Sequence, residues 1–216
     1  MQDNRLQLPI LCLVTDPAAC LGRPLEQVVA VAVEAGVGLV QLRQKELPAR
    51  QLLDLGRTLL GPISQRGAAL VVNDRVDVAM ALGAQGVQLG GGSLPVREAR
   101  RLAGDGMLIG ASAHSLEEAL RAEGEGADYL ILGTIFETRS HPGLKPAGLG
   151  LVSRVAETVR IPVIAIGGIS AGNAGLVMAA GASGVAVITA LQSAPDVAAA
   201  VRQLLAAMKE GLGGGP

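Results

Sequence analysis

The chain has few aromatic residues, few cysteines and almost no net charge, and each scarcity excludes a class of protein. Its 216 residues include one Tyr, one Phe and no Trp, so it lacks the stacking platforms of single-strand nucleic-acid binders. A formal net charge of −1 also argues against a nucleic-acid partner. Cys12 and Cys20 are the only cysteines, too few for a disulfide scaffold or a cysteine-rich zinc site.

Long apolar runs are missing as well. No run reaches the roughly 18 residues of a membrane span, and the first residues, MQDNRLQ, lack the basic-then-apolar order of a signal peptide. We therefore expect a soluble, cytoplasmic protein with no membrane partner. Half of the residues are hydrophobic, which is enough for one large core built from Ala, Val, Leu and Ile.

Short runs rich in Val, Ile and Leu alternate with segments of helical spacing along the whole chain. Eight such runs occur, from residues 10–15 to residues 184–188. They are continuously apolar, which predicts strands buried on both faces, as in parallel sheets covered by crossover helices. We predict an α/β fold, a single-domain (β/α)8 TIM barrel over residues 1–210, followed by a disordered tail, 211–216. The alternative, a doubly wound open sheet, normally has fewer strands.

The polar residues that end each run are the candidates for a site, because TIM-barrel chemistry lies at the C-terminal ends of the strands. Gly167, Gly168 and Thr189 follow runs seven and eight, where this fold usually binds phosphate. Glycine lets backbone N–H groups approach phosphate oxygens without a Cβ in the way. The alternative is that these glycines only relieve crowding where a strand meets a helix.

Runs two and three end in charged and amide side chains. Arg43 and Lys45 stand two positions apart in an extended segment, so they point the same way and could bind a carboxylate or a second phosphate. The alternative is a solvated strand end. Asn73 and Asp74 could hold a metal or a polar substrate, whereas the alternative for Asp74 is a cap on the helix that starts at Arg75.

His114 is the best acid–base candidate, because an imidazole can take and give a proton near neutral pH. It follows run five, beside Ser112, at the expected mouth of the barrel. The alternative is a histidine hydrogen-bonded locally at a helix entry. Ser115 stands three residues before Glu118, the capping-box order that marks a helix start.

Residues 137–150 form the longest connection, with two prolines and three glycines. A loop of this length is either a functional lid or disordered. Thr138 and Ser140 come at its start, after run six, and are candidate substrate ligands. The sequence leaves open whether Glu137 or His141 touches substrate.

At these residues the chain resembles the thiamine phosphate synthase and thiazole tautomerase superfamily. The strings that carry the resemblance are LVTD (13–16), QLRQKE (41–46), VVNDRVDVA (71–79), GVQLGGGSLP (86–95), GASAHSLEEA (110–119), LGTIFETRSHPG (132–143), PVIAIGGIS (162–170) and GVAVITA (184–190). The resemblance implies a barrel of thiamine biosynthesis with a phosphorylated thiazole as its small-molecule partner. It also implies that the thiazole phosphate is held by Gly167, Gly168, Ile188 and Thr189.

The chain departs from the synthase pattern in two places. That pattern is similar to G-Q-E-D after strand four, whose last Asp helps to bind Mg²⁺, but here residues 90–93 read GGGS and end in Ser93. It is similar to F-P-T-x-T-K after strand six, but residues 136–141 read FETRSH, which loses the lysine and places Glu137 where anions should bind. Other residues of the pyrophosphate site are retained, namely Arg43, Lys45, Asn73 and Asp74.

The tautomerase branch looks closer in short strings. It is similar to V-Q-L-x-x-G-S, H-S-L-E-E-A and F-E-T, which the chain matches at 87–93, 114–119 and 136–138. We therefore predict a thiazole tautomerase, an isomerase without metal or other cofactor, in which His114 moves the proton that aromatises a thiazole carboxylate phosphate. The predicted substrate ligands are Arg43, Lys45, Asn73, Ser112, Thr138 and Ser140.

Three alternatives remain at this stage. The first is a thiamine phosphate synthase, which needs Mg²⁺ and would use Asp74 as a metal ligand. The second is a non-catalytic protein that binds thiazole or thiamine phosphates. The third, more distant, is a sugar-phosphate epimerase or isomerase on the same barrel. Apolar helix faces on a barrel this small could also pair two copies as a homodimer.

Overall fold

Eight short parallel strands close into a barrel in the computed structural model, which describes residues 6–138 and 145–213. The strands, each paired with the next and the last with the first, are β1 (Ile10–Val14), β2 (Leu39–Leu42), β3 (Ala69–Asn73), β4 (Gly86–Leu89), β5 (Leu108–Ala113), β6 (Tyr129–Gly133), β7 (Val163–Ile166) and β8 (Gly184–Val187). The predicted single-domain (β/α)8 TIM barrel is confirmed.

Helices follow the strands and surround the barrel. They are α1 (Leu25–Glu34), α2 (Ala49–Gln65), α3 (Val76–Leu82), α4 (Val96–Ala103), α5 (Leu116–Gly124), α6 (Leu149–Thr158), α7 (Ala174–Ala179), α8 (Thr189–Gln192) and α9 (Val197–Gly213). A short 3₁₀ helix, Pro17–Cys20, follows β1. The short helix α8 lies directly after β8, and α9 completes the outer layer.

The strands separate two apolar cores. In β1, Ile10, Cys12 and Val14 pack inside the barrel, whereas Leu11 and Leu13 pack against the helices. Successive side chains of a strand point to opposite faces, so a strand with both faces buried is apolar at most positions. This is why the runs in the sequence are continuous and not alternating.

The C-terminal end of the described chain is helical. Helix α9 extends to Gly213, three residues into the segment expected to be disordered, and residues 214–216 lie outside the described part of the chain. The cause is close packing of α9 on α7, because a Cβ at Gly211 would overlap the carbonyl group of Gly175. Here glycine permits a helix contact and does not mark a flexible end.

No helix within residues 6–138 and 145–213 combines the length and hydropathy needed to cross a membrane. The two longest, α2 and α9, have 17 residues each. The cytoplasmic location and the homodimer stay predictions.

Helix α5 begins as its sequence predicts. The Ser115 hydroxyl accepts a hydrogen bond from the Glu118 N–H at 3.1 Å. The Glu118 carboxylate in turn accepts one from the His114 N–H at 2.7 Å and lies 3.0 Å from His114 Nδ1. Partial burial raises the pKa of Glu118, but the hydrogen bonds and charge of His114 outweigh it, so the pKa is lowered overall.

This lowered pKa gives the stability of the protein a pH dependence. A carboxylate with a lower pKa in the folded state stabilises the fold above its unfolded pKa, and this contribution disappears as the pH falls through the folded pKa. We expect Glu118→Gln to reduce the free energy of unfolding at pH 7 by at most about 1 kcal/mol, because water screens a carboxylate that is 38% exposed. Urea unfolding at several pH values measures the difference, which should shrink below about pH 4.

The exposed neighbour Glu117 provides the matched control. Glu117→Gln removes a charge from the same first turn without removing a bond to His114. A loss of stability as large in Glu117→Gln as in Glu118→Gln, or one that persists unchanged at pH 3, would contradict the assignment.

Candidate active site

A pocket of about 280 Å³ opens at the C-terminal ends of the strands. The predicted site residues that the structure describes all line it, namely Arg43, Lys45, Asn73, Asp74, Ser112, His114, Thr138, Gly167, Gly168, Ile188 and Thr189. Ser140 and His141 lie outside the described residues. The structure thus brings these residues to one mouth, and their individual roles in binding stay predictions.

A chain of hydrogen bonds on the β2–β3–β4 side fixes one carboxylate. Gln41 Nε2 donates to Asn73 Oδ1 at 2.7 Å, and Asn73 Nδ2 donates to Asp74 Oδ2 at 2.5 Å. The other oxygen of Asp74 accepts from the Gly90 N–H at 3.2 Å and from the Ser93 hydroxyl. Both oxygens of the Asp74 carboxylate are therefore held before any ligand arrives.

Asp74 does not cap helix α3, which was the alternative for this residue. The residue at the N-cap position is Arg75, and no side chain caps the helix there. Asp74 itself has a φ of 62°, in the left-handed region that Asp tolerates better than most residues. This backbone conformation accompanies a carboxylate that bonds to the loop after β4 and not to α3.

Two cations line the same pocket as this carboxylate. The fully buried Thr15 fixes the backbone of Arg43, whose N–H donates to Thr15 Oγ1 at 2.8 Å. Arg43 is half-buried and Lys45 is exposed, and both line the pocket. Within the described residues neither forms a salt bridge, so both charges are available to an anionic ligand.

The β7–β8 side of the mouth is shaped by two glycines. Gly167 and Gly168 have φ values of 105° and 63°, which other residues rarely adopt. A Cβ at Gly168 would overlap the carbonyl oxygen of Glu137 and lie 2.8 Å from Phe136 Cβ. The chain can follow this path only with glycine, which leaves backbone accessible beside Thr189 as a phosphate site requires.

Glu137 does not lie where the sequence placed it. Its side chain is exposed, and it is absent from the described residues that line the pocket. Only its carbonyl group approaches the mouth, beside Gly168. The carboxylate therefore lies outside the pocket, which weakens one of the two departures from the synthase pattern, although a histidine still stands where that pattern has its lysine.

Two glutamines of the site, Gln41 and Gln88, are not among the site residues that the sequence predicted. Gln41 lines the pocket and orients Asn73, and Gln88 Nε2 donates to the Ser112 hydroxyl at 3.2 Å. Both are buried inside strands, at 5% and 1% exposure. A Gln within an otherwise apolar strand was the available signal, since a buried amide needs a partner.

The metal-binding capacity of the mouth rests on one carboxylate. Asp74 is the only Asp or Glu among the described residues that line the pocket, with the Ser93 hydroxyl and the Asn73 amide beside it. The described residues contain no group of three His, Cys, Asp or Glu side chains that could hold a metal ion. A cation here would need further oxygen ligands from the substrate or from water.

Comparison with known proteins shows which family the chain is similar to. The family model described as thiamine monophosphate synthase matches residues 11–191. A thiamine-phosphate synthase of Haloarcula marismortui is 44% identical over 203 residues, 92% of this chain and 96% of the relative. One of Chlorobium luteolum is 45% identical over 206 residues, 95% of each chain. The solved thiamine phosphate pyrophosphorylase from Pyrococcus furiosus superposes with a TM-score of 0.86 at 40% identity, covering 94% of this chain and 96% of that one.

These relatives overturn the predicted thiazole tautomerase, and with it the predicted isomerase. Proteins that match over nearly their full length are named synthases, which are transferases. The strings that favoured the tautomerase are short, and much of the one at 114–119 is accounted for by the capping of α5. The proton-moving role of His114 belonged to that isomerase reaction and no longer applies. The chain belongs to the thiamine monophosphate synthase family.

Proposed function

We propose that this protein is a thiamine-phosphate synthase, which joins a pyrimidine pyrophosphate to a thiazole phosphate and releases pyrophosphate. The observation that carries the proposal is the match, over more than nine-tenths of the chain, to relatives of that name. The pocket supports it with two anion-binding regions. Arg43 and Lys45 belong to the β2 side, and Gly167, Gly168 and Thr189 to the β7–β8 side. Two phosphorylated substrates could bind there with their rings between them.

The proposed reaction exchanges one bond for another. The bond between the methylene carbon of the pyrimidine and a pyrophosphate oxygen breaks, and a bond forms from that carbon to the ring nitrogen of the thiazole. No proton moves in this exchange, so the site must orient two substrates and stabilise the charge of the leaving group. Arg43 and Lys45 would bind the pyrophosphate. Gly168 and Thr189 would hold the thiazole phosphate.

Mg²⁺ fits the Asp74 side of the mouth as part of this proposal. When bound, it would supply positive charge that neutralises the leaving pyrophosphate. Asp74 offers a carboxylate already held in place, and Ser93 offers a hydroxyl next to it. Mg²⁺ in proteins commonly binds through one or two carboxylates together with substrate phosphates, so a single carboxylate suffices.

The direct test of the function is a coupling assay. Given the pyrimidine pyrophosphate, the thiazole phosphate and Mg²⁺, the protein should release pyrophosphate and form thiamine phosphate in equal amounts. Omission of either substrate, or addition of a chelator, should abolish both products. Binding of thiamine phosphate by calorimetry without any coupling would identify a non-catalytic binding protein and overturn the proposal.

The phosphate site can be tested at Gly168. Gly168→Ala places a methyl group against the Glu137 carbonyl at a positive φ, so the backbone must move away from the bound phosphate. We expect the KM for thiazole phosphate to rise at least about tenfold, equivalent to roughly 1.4 kcal/mol. The KM for the pyrimidine substrate should change much less.

Gly172→Ala, in the same loop, is the matched control. Its new Cβ would lie 3.7 Å from Ser170 Oγ, an ordinary contact, and its φ is not positive. A KM for thiazole phosphate that rises equally in both variants would show that the loop, and not the Gly168 backbone, is responsible.

The metal proposal can be tested without turnover. Ser93→Asp would place a second carboxylate beside Asp74, and a divalent cation would relieve the repulsion between the two. We expect Mg²⁺ to bind about tenfold more tightly, and to raise the melting temperature more, than in the unmodified protein. Titration calorimetry and thermal melts measure both effects. Ser93→Asn, of similar size but uncharged, should show neither, and an equal effect in Ser93→Asn would contradict the proposal.

A further inference from the structure

Tyr129 carries a polar group that the barrel interior does not explain. It is the only tyrosine of the chain, fully buried, and packs in the cluster inside the strands. Its hydroxyl has no hydrogen-bond partner among the described residues. A buried hydroxyl without a partner is unfavourable, and phenylalanine would fill the same space without that cost. Burial also raises the pKa of Tyr129 well above its usual value, so the hydroxyl keeps its proton.

A second polar group without a partner lies beside it. Gln88 Oε1 is buried and unbonded among the described residues, whereas Gln88 Nε2 donates to the Ser112 hydroxyl. Gly110 brings the two groups together on β5, because a Cβ there would overlap both Gln88 Oε1 and the hydroxyl of Tyr129. A donor and an acceptor, each without another partner, therefore border the same point. They can satisfy each other directly after a small shift, or through one water molecule.

The chemistry of these groups determines which atom donates and which accepts in each hydrogen bond. A neutral tyrosine hydroxyl donates to an amide oxygen, which can only accept. With Oε1 turned towards Tyr129, the amide nitrogen of Gln88 faces Ser112 and donates to its oxygen. The proton of the Ser112 hydroxyl is then free to point elsewhere. Ser112 lines the pocket, so that proton is available to a bound ligand.

We propose that Tyr129 and Gln88 are positioning residues that hold Ser112 as a hydrogen-bond donor towards an acceptor nitrogen of the heterocyclic substrate. This inference rests on the proposed synthase function for the identity of the substrate. The pyrimidine ring is the ligand we assign to Ser112. The C-terminal end of β5 lies between the β2–β4 side of the pocket, proposed for pyrophosphate, and the β7–β8 side, proposed for the thiazole phosphate. A substrate ring would lie at this position.

The chain of hydrogen bonds from Tyr129 through Gln88 to Ser112 is called the relay below. Tyr129→Phe tests this relay by removing one oxygen atom. We expect kcat/KM for the pyrimidine pyrophosphate to fall about three- to tenfold through KM, the range of one net hydrogen bond. The KM for thiazole phosphate should stay unchanged. In a Ser112→Ala background, Tyr129→Phe should have no further effect on either substrate. An equal loss in both backgrounds, or for both substrates, would show a merely structural role and overturn the proposal.

Cys12→Ala provides the control for repacking inside the barrel. Cys12 is buried in the same interior cluster as Tyr129 but has no part in the relay. It should lower stability without changing the KM for the pyrimidine substrate. If Cys12→Ala raised that KM as much as Tyr129→Phe, general loosening of the interior would account for the effect.

A stability measurement separates failure of the relay from failure of the proposed function. If Tyr129 donates to Gln88, Tyr129→Phe should raise the unfolding equilibrium constant about three- to tenfold in the unmodified protein and not in a Gln88→Met background. Additive effects of the two substitutions on urea unfolding would overturn the relay whatever the protein catalyses. Coupling in stability together with no synthase activity would instead reject the assigned substrate and retain the hydrogen bonds.

Discussion

The closure of eight parallel strands, buried on both faces, limits where this protein can place a polar side chain. The barrel interior is filled by residues such as Leu39, Val71 and Ile164, and the helices cover the outside. An unpaired polar group is unfavourable in either core, so along the strands themselves only the ends are left for charge. Because the strands are parallel, all their C-terminal ends meet at one mouth. The pocket follows from the topology before any particular chemistry is considered.

Within that mouth, position around the ring separates the two anion sites that we propose. On the β2–β4 side, the carboxylate held at Asp74 lines the same pocket as the cations Arg43 and Lys45, an arrangement suited to a phosphate group that arrives with a metal ion. On the β7–β8 side, the backbone at Gly167 and Gly168 is shaped for direct approach. The first side depends on charge and is expected to respond to salt and metal. The second depends on backbone conformation.

The tautomerase prediction was wrong because it relied on short motifs that also serve to begin a helix. The string at 114–119 looked catalytic because it contains a histidine, yet its bonds mainly begin a helix. Ser115 caps α5, and Glu118 bonds back to His114. Such residues favour a helix start whatever the barrel catalyses, so the string carries information about folding as much as about reaction. Identity over nearly the whole chain includes many more positions and outweighs three short matches.

The sequence by itself determined the barrel, because continuous apolar runs separated by helical segments allow few other arrangements, and it determined which residues end the strands. It could not determine which of those residues touch. Gln41 reaches Asn73 across 32 residues, and Asp74 meets Ser93 across 19. Such pairs depend on strand register and loop path, which no periodicity encodes. The same holds for Glu137, whose exposure reflects the path of its loop, and for Tyr129 and Gln88, whose polar atoms both border Gly110 on the strand between theirs.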